Sequence, residues 1–370
     1  KIIKKNDENQ IDSLLFLYKK AYHIIGTIIS ILGLVLLPLL PYLIDFNQVT
    51  AKNINVSALF LIYLANTVIT YLLFAYKKSV LIAYQRTDVI SVIDCITHTV
   101  MYIIQAALLF FIPNYYVYIL LLPIFTLIDN TCISILVDKK FPFLGNKSNK
   151  NSIKLATVFT DIKYIVGHKL GGVIITSSDS IVISAFLDLV LLTKYSNYHY
   201  IITALTGFLS VGYTAVLSSV GNTIVKETKE KILSLYYELS FCTFVFVGFC
   251  SSCLVSLYQP FMRLWLGEAY MFDMKTVIVF VVYFYTWQVR LMGLNFKDAA
   301  GMWKADFLKP YVGMIFNIVL NIVLVHFFGI IGVLFASIFV FLCIYFPWEN
   351  YVLFKFLFSA NIYRFLLKQA

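Results

Sequence analysis

Charge is scarce in this chain. Asp, Glu, Lys and Arg together make up 13% of its 370 residues, and arginine occurs four times against 25 lysines. A soluble domain of this length needs more polar surface than that, and 61% hydrophobic residues with a mean hydropathy of +0.85 exclude one. A secretory leader is also not expected. The opening KIIKKNDENQ carries no methionine and no apolar run behind its basic residues. Metal motifs are equally thin: Cys250 and Cys253 form a CxxC, but no second pair accompanies them, and all six cysteines lie in or beside apolar stretches, where they serve as small apolar residues. No metal or other cofactor is expected.

What is present is a series of apolar runs. About 20 such residues cross roughly 30 Å of hydrocarbon as helix, and the runs near 23–44, 56–76, 88–112, 116–137, 164–192, 199–225, 234–258, 276–296, 310–327 and 330–350 each meet that need. The reading is an all-α polytopic membrane protein with ten transmembrane helices. Assigning the connections and adjoining helix ends alternately to the two sides of the membrane puts 25 of the 29 Lys and Arg on one and 4 on the other. The positive-inside rule then places both termini of the chain in the cytoplasm. The net charge of +10 is accounted for by lysines facing anionic lipid headgroups, and nucleic acid is not an expected partner.

The longest connection on the basic side, 138–163, is rich in Lys, Asn and Ser and reads as a linker between two helical lobes, 1–137 and 164–370. Four spans precede it and six follow. Connections on the other side are short, including about ten residues at 45–55 and the turns PNYY and KYSNYH, so a surface enzyme with large catalytic loops is not expected.

Several spans carry polar residues that lipid does not explain. Charged groups at the bilayer centre cost roughly 2.5–3.5 kcal/mol on insertion scales and usually face protein or a water-filled path. In GHKLGGVIITSSDSIVISAFLD (167–188), Lys169, Gly172, Thr176, Asp179, Ser180 and Ser184 fall within an arc of about 160°, and this face is expected to line a cavity. A second stripe runs from Thr203 through Thr206 and Ser210 to Gly221, where packing and cavity lining both remain open. Asp94 and His98, spaced i, i+4, can share a face with Gln105, as an ion- or proton-coupling site or as a structural contact. Gln288, Arg290 and Asn295 cluster at one end of 276–296, where Arg290 either snorkels or binds ligand. Asn317 and Asn321 are expected to link helices through hydrogen bonds.

The order of these segments, HKLGGVIITSSDSIVISAFLD, KYSNYHYIITAL, SSVGNTI, RLWLG, AAGMWKADFLKP and NIVLNIVLVHFFGIIGVLFASI, resembles the bacterial polysaccharide flippases. Their superfamily also holds multidrug-and-toxin extrusion transporters and the lipid-linked peptidoglycan precursor flippase. The likeness runs over nearly the whole chain. It implies a two-lobe bundle of twelve or more helices that opens alternately to each side of the bacterial cell membrane. The opening segment KKNDENQIDSLLFLYKKAY resembles the family's connection between its second and third helices, so the first two helices are expected to be missing here. By position, the resemblance carries His168 and Lys169, Asp179 and the turn Tyr195, Ser196, Asn197 and Tyr198 over as family positions.

The function so implied is export, without covalent chemistry, of an oligosaccharide repeat unit on a polyprenyl pyrophosphate carrier, for capsule or exopolysaccharide assembly. Its partners are the lipid-linked oligosaccharide, membrane lipids and other polysaccharide-assembly proteins. Lys169, Asp179, Thr176, Ser180, Arg290 and Asn197 are the expected cavity or substrate residues, and Asp94 and His98 the expected coupling pair. Drug or cation efflux on the same fold would call for acidic residues in the cavity. A membrane glycan polymerase or ligase would call for a long external loop.

Overall fold

A computed structural model describes residues 8–43, 55–84, 86–112, 114–142, 144 and 155–360. Most of the connection at 45–55 and the middle of the expected linker, 145–154, lie outside these residues. Among the described residues every regular element is helical. Eight helices among the described residues are each long and apolar enough to cross a membrane, and a ninth crossing results if Val56–Leu72 and Ala75–Ala83, bent by 48°, are taken together. The remaining expected span, 199–225, falls inside the 38-residue helix Leu189–Lys226. The chain is an all-α polytopic membrane protein. It divides into two compact units, Lys1–Leu155 and Ala156–Ala370.

In the first unit, α1 (Glu8–Leu36) continues through short turns to Leu43, and α2 (Val56–Leu72), α3 (Lys78–Ala83), α4 (Thr87–Phe111) and α5 (Tyr115–Lys140) follow. Asn55 and Asn114 start α2 and α5 by accepting hydrogen bonds from the backbone N–H of Ala58 and Tyr116, at 3.1 and 2.9 Å. Such caps satisfy N–H groups that the first helical turn leaves without partners. The bend between α2 and α3 passes through Phe74, a non-glycine residue at φ 62°. Helix α1 packs on α2, α2 on α5 and α4 on α5. A small core gathers at one end from Leu15, Tyr76, Val80, Leu81, Ile133 and Val137.

The second unit holds α6 (Leu155–Phe186), α7 (Leu189–Lys226), α8 (Lys229–Leu266), α9 (Met274–Val289), α10 (Leu291–Ala299), α11 (Lys309–Phe328), α12 (Ile330–Phe339) and α13 (Phe346–Val352). At 38 residues each, α7 and α8 run roughly 57 Å and overshoot the hydrocarbon. Asp188 caps α7 through Leu191 N–H at 2.6 Å. The last span is not uniform: Val340–Tyr345 and Leu353–Phe358, on either side of α13, are wound as π-helix. The packed centre is aromatic, with Tyr198, Tyr258, Phe280, Phe284 and Phe341 fully or nearly fully buried. In lipid the apolar effect does not drive helices together, so close packing and polar contacts must do so.

Candidate functional site

Two glycines bring the site together. A Cβ on Gly171 would lie 2.5 Å from Pro310 Cβ, so α6 can approach the start of α11 only with glycine there. A Cβ on Gly313 would run into the Tyr345 ring, which is why that ring can lie flat against α11. These approaches set His168 and Lys169 of α6 beside Lys309 of α11 and the last span. A cavity of about 410 Å³ opens between them, lined among others by Lys169, Thr176, Trp287, Arg290, Lys309 and Glu349.

Its wall is an ion network. Arg290, 5% exposed, stands where α9 breaks into α10 and donates to Glu349 Oε1 at 2.8 Å. Lys309 donates to the same oxygen at 2.6 Å and pairs with Asp306 at 3.0 Å. Asp306 accepts from Lys297 at 2.7 Å, and the His168 imidazole lies 2.9 Å from its other oxygen. Asp298 accepts from the Trp303 indole at 2.8 Å. The Arg290 guanidinium lies over three rings, Trp287, Phe341 and Tyr345, at 4.9, 5.3 and 4.9 Å, and Lys309 over Tyr345 at 5.0 Å. Aromatic faces hold a desolvated cation by their quadrupoles. Asp306 belongs to the turn outside the spans. Burial pushes its carboxyl up, but the His168 hydrogen bond and the charges of Lys309 and Lys297 outweigh burial and hold it well below the usual carboxylate range.

The cavity lining brings four cations, Lys169, Arg290, Lys297 and Lys309, against two carboxylates, Asp298 and Glu349. Even with Asp306 behind the wall, positive charge is in excess. Such a site accommodates an anion, and the indole and phenol faces beside it suit sugar rings. A second concavity of about 650 Å³ runs along Gln259, Pro260, Arg263 and Leu264. It is larger, but its polar groups are engaged elsewhere: Gln259 donates to the Phe272 carbonyl at 2.6 Å and Arg263 pairs with Glu268 at 3.3 Å.

The expected cavity residues separate. Lys169 and Thr176 are exposed on α6 and line the cavity, and Arg290 lines it too. Arg290 does not snorkel; it is buried and paired. Asp179 does not share the cavity face. It is 1% exposed, and accepts from Asn321 Nδ2 at 2.8 Å, Ser337 Oγ at 3.0 Å and Tyr195 Oη at 3.4 Å. Ser178 donates to Asn317 Oδ1 at 2.6 Å, and Asn317 Nδ2 to Ser337 Oγ at 2.9 Å, so Asn317 and Asn321 do link helices. The reason is azimuth: ten residues turn a helix to about 80° from the starting direction, whereas seven return it to within about 20°. Thr176 therefore follows Lys169 and Asp179 turns into protein. Ser180 returns to the azimuth of Lys169 but is half-buried and does not line the cavity. Asn197 is half-buried on α7 and does not line the cavity.

In the first unit the Asp94 carboxylate does not meet the His98 ring. Lys78 takes it at 3.2 Å and takes Asp129 of α5 at 2.7 Å, while Thr97 also donates to Asp129 at 3.2 Å. His98 Nδ1 lies 2.7 Å from the backbone carbonyl of Asp94. A lysine from the neighbouring α3 wins because an ion pair is the stronger partner for a half-buried carboxylate. Gln105 is tied to α5 by its bond to the Tyr118 carbonyl at 3.1 Å.

Glu349, Lys309, Lys297 and Asp306 were not expected as site residues, although Asp306 and Lys309 stand in the segment AAGMWKADFLKP. Glu349 had one signal, as a lone carboxylate at the end of an apolar span; the other three sit in a segment that looks like an ordinary charged connection. Compared with known protein families, curated proteins and solved structures, the chain matches none.

Proposed function

We propose that this chain exports a lipid-linked oligosaccharide across the bacterial cell membrane by alternating access, with both of its termini in the cytoplasm. The observation that carries the reading is the cation excess around an aromatic-lined cavity in the second unit. A polyprenyl pyrophosphate brings negative charge to Arg290, Lys309 and Lys169, and the attached sugars lie against Trp287, Trp303 and Tyr345. The polyprenyl chain stays in the bilayer. Such transport requires no covalent chemistry.

Coupling to an ion is placed at Asp179 in preference to Asp94 and His98. Asp94 already holds a lysine, whereas Asp179 is a buried carboxylate met only by neutral groups from three other helices. A carboxylate so placed takes up a proton or a monovalent cation at lower cost than it stays bare. Ser178 and Ser337 hydroxyls and the Asn321 Oδ1, which is buried and has no hydrogen-bond partner, supply further oxygens around it.

Cation efflux is disfavoured by the sign of the cavity. The test is reconstitution into liposomes with a fluorescent polyprenyl-pyrophosphate sugar in one arm and an organic dye cation in the other. Movement of the anionic lipid between leaflets, lost in Arg290→Ala, is expected. Transport of the dye without the lipid would overturn the reading.

A further inference from the structure

We propose that Glu349 is a built-in stand-in for the substrate's phosphate, closing the cation site on itself until a phosphate oxyanion exchanges with it. This rests on reading the cavity as a phosphate site and adds how that site is kept when empty of cargo.

One oxygen of Glu349 carries both cations. Oε1 accepts from Arg290 Nη1 at 2.8 Å and from Lys309 Nζ at 2.6 Å, while Oε2, equally buried, has no hydrogen-bond partner. The Arg290 Nε is likewise buried without one. A guanidinium can offer two parallel N–H groups to a carboxylate, and the preferred geometry of such a pair is a two-pronged fork. Here the fork is half used. The donors left over match an oxyanion with more oxygens than a carboxylate, such as a phosphate, which can accept from Nε, Nη1 and Lys309 Nζ together.

The surroundings are built for exchange. Arg290 occupies the break between α9 and α10, and Glu349 rides on α13, a seven-residue helix between two π-helical segments. Such π-segments recur at functional sites, where the helix ladder is already interrupted. Lys309 has a second carboxylate, Asp306, at 3.0 Å, so it stays compensated as Glu349 lets go. Glu349 would leave the cations by rotation of its side chain, with no proton transferred and no bond broken.

Binding to the purified protein tests this, using farnesyl pyrophosphate, inorganic pyrophosphate and farnesol as probes. Glu349→Gln is expected to bind farnesyl pyrophosphate at least fivefold more tightly than the wild type, because the competing anion is gone, and farnesol no more tightly. A parallel gain for inorganic pyrophosphate supports recognition of the anion itself; a gain for the farnesyl ester alone supports recognition of it as a lipid headgroup. The wild type gives a second readout that needs no variant. Pyrophosphate or its ester should expose the Glu349 carboxylate to an apolar carbodiimide, raising labelling of its peptide by mass spectrometry. Wild-type binding of the phosphate probes with unchanged affinity in Glu349→Gln, or with unchanged labelling of Glu349, would overturn the stand-in while leaving the phosphate site. Failure of wild type and variant alike to bind either phosphate probe would overturn both.

Discussion

Each unit contains a lysine that bridges two carboxylates, and the two arrangements carry opposite signs. In the first, Lys78 alone serves Asp94 and Asp129, so the cluster is left with excess negative charge, and Asp94 remains partly open at 38% side-chain exposure. In the second, Lys309 serves Asp306 and Glu349 with Arg290 and Lys297 beside it, and every one of these five side chains is at most 5% exposed. The packing differs in the same sense. The most enclosed span of the first unit has 33% of its window buried, against 61% for Met274–Ala299 in the second. The comparison teaches that a membrane protein of scarce charge concentrates its desolvated charge where helices pack most densely, since only there are partners fixed well enough to offset the loss of water.

The comparison breaks most sharply at Arg290. Arg290→Ala leaves Glu349 buried with Lys309 alone, and removing one partner of a buried pair costs about 3–5 kcal/mol. Thermal unfolding in detergent should show the loss, and lipid translocation should stop. Arg290→Lys should restore stability in part but less of the translocation, because it keeps the charge and lacks the fork.

Asp179→Asn tests the second unit's other buried carboxylate. The amide preserves shape and most hydrogen bonds, so abundance in the membrane should stay near normal, while transport should lose its dependence on an imposed proton or sodium gradient. Undiminished gradient dependence would remove Asp179 from coupling.

In the first unit, Asp129→Asn still leaves Lys78 a carboxylate. The expected cost is about 1.5 kcal/mol, at the low end for a hydrogen bond to a charged group, because Asp94 keeps Lys78 paired. A loss as large as that from Arg290→Ala would erase the contrast between the units.

Acid gives a graded test at the turn. Asp306 has its pKa lowered in the fold from an ordinary 3.8. Its contribution to stability is therefore fully present above that ordinary value and is lost as pH falls from there through the lower folded value. The difference in thermal stability between wild type and Asp306→Asn should not shrink from pH 7 to about 5 and should shrink only in stronger acid. A difference that shrinks already between pH 7 and 5 would contradict the ion network. The smallest effect is expected at Lys169→Ala. This lysine is exposed at the cavity, so translocation should fall a few-fold in apparent affinity with unchanged unfolding temperature.

The sequence by itself determined the class and most of the spans, because apolar length and helical satisfaction of the backbone are local demands of lipid on a chain. It also marked Lys169, Thr176 and Arg290, since charge and hydroxyls on an apolar helix are visible without knowing the neighbours. Tertiary structure alone decided what each polar group faces. Asp179 lies only about 80° around α6 from Lys169, yet that rotation turns it from cavity to packed protein. Asp94 met Lys78 instead of His98 because a third helix supplied the better partner. Glu349 and Arg290, 59 positions apart, became one site because a glycine at 313 lets Tyr345 and the last span close on α11. A charge reports its own cost in the sequence, and its partner only in the fold.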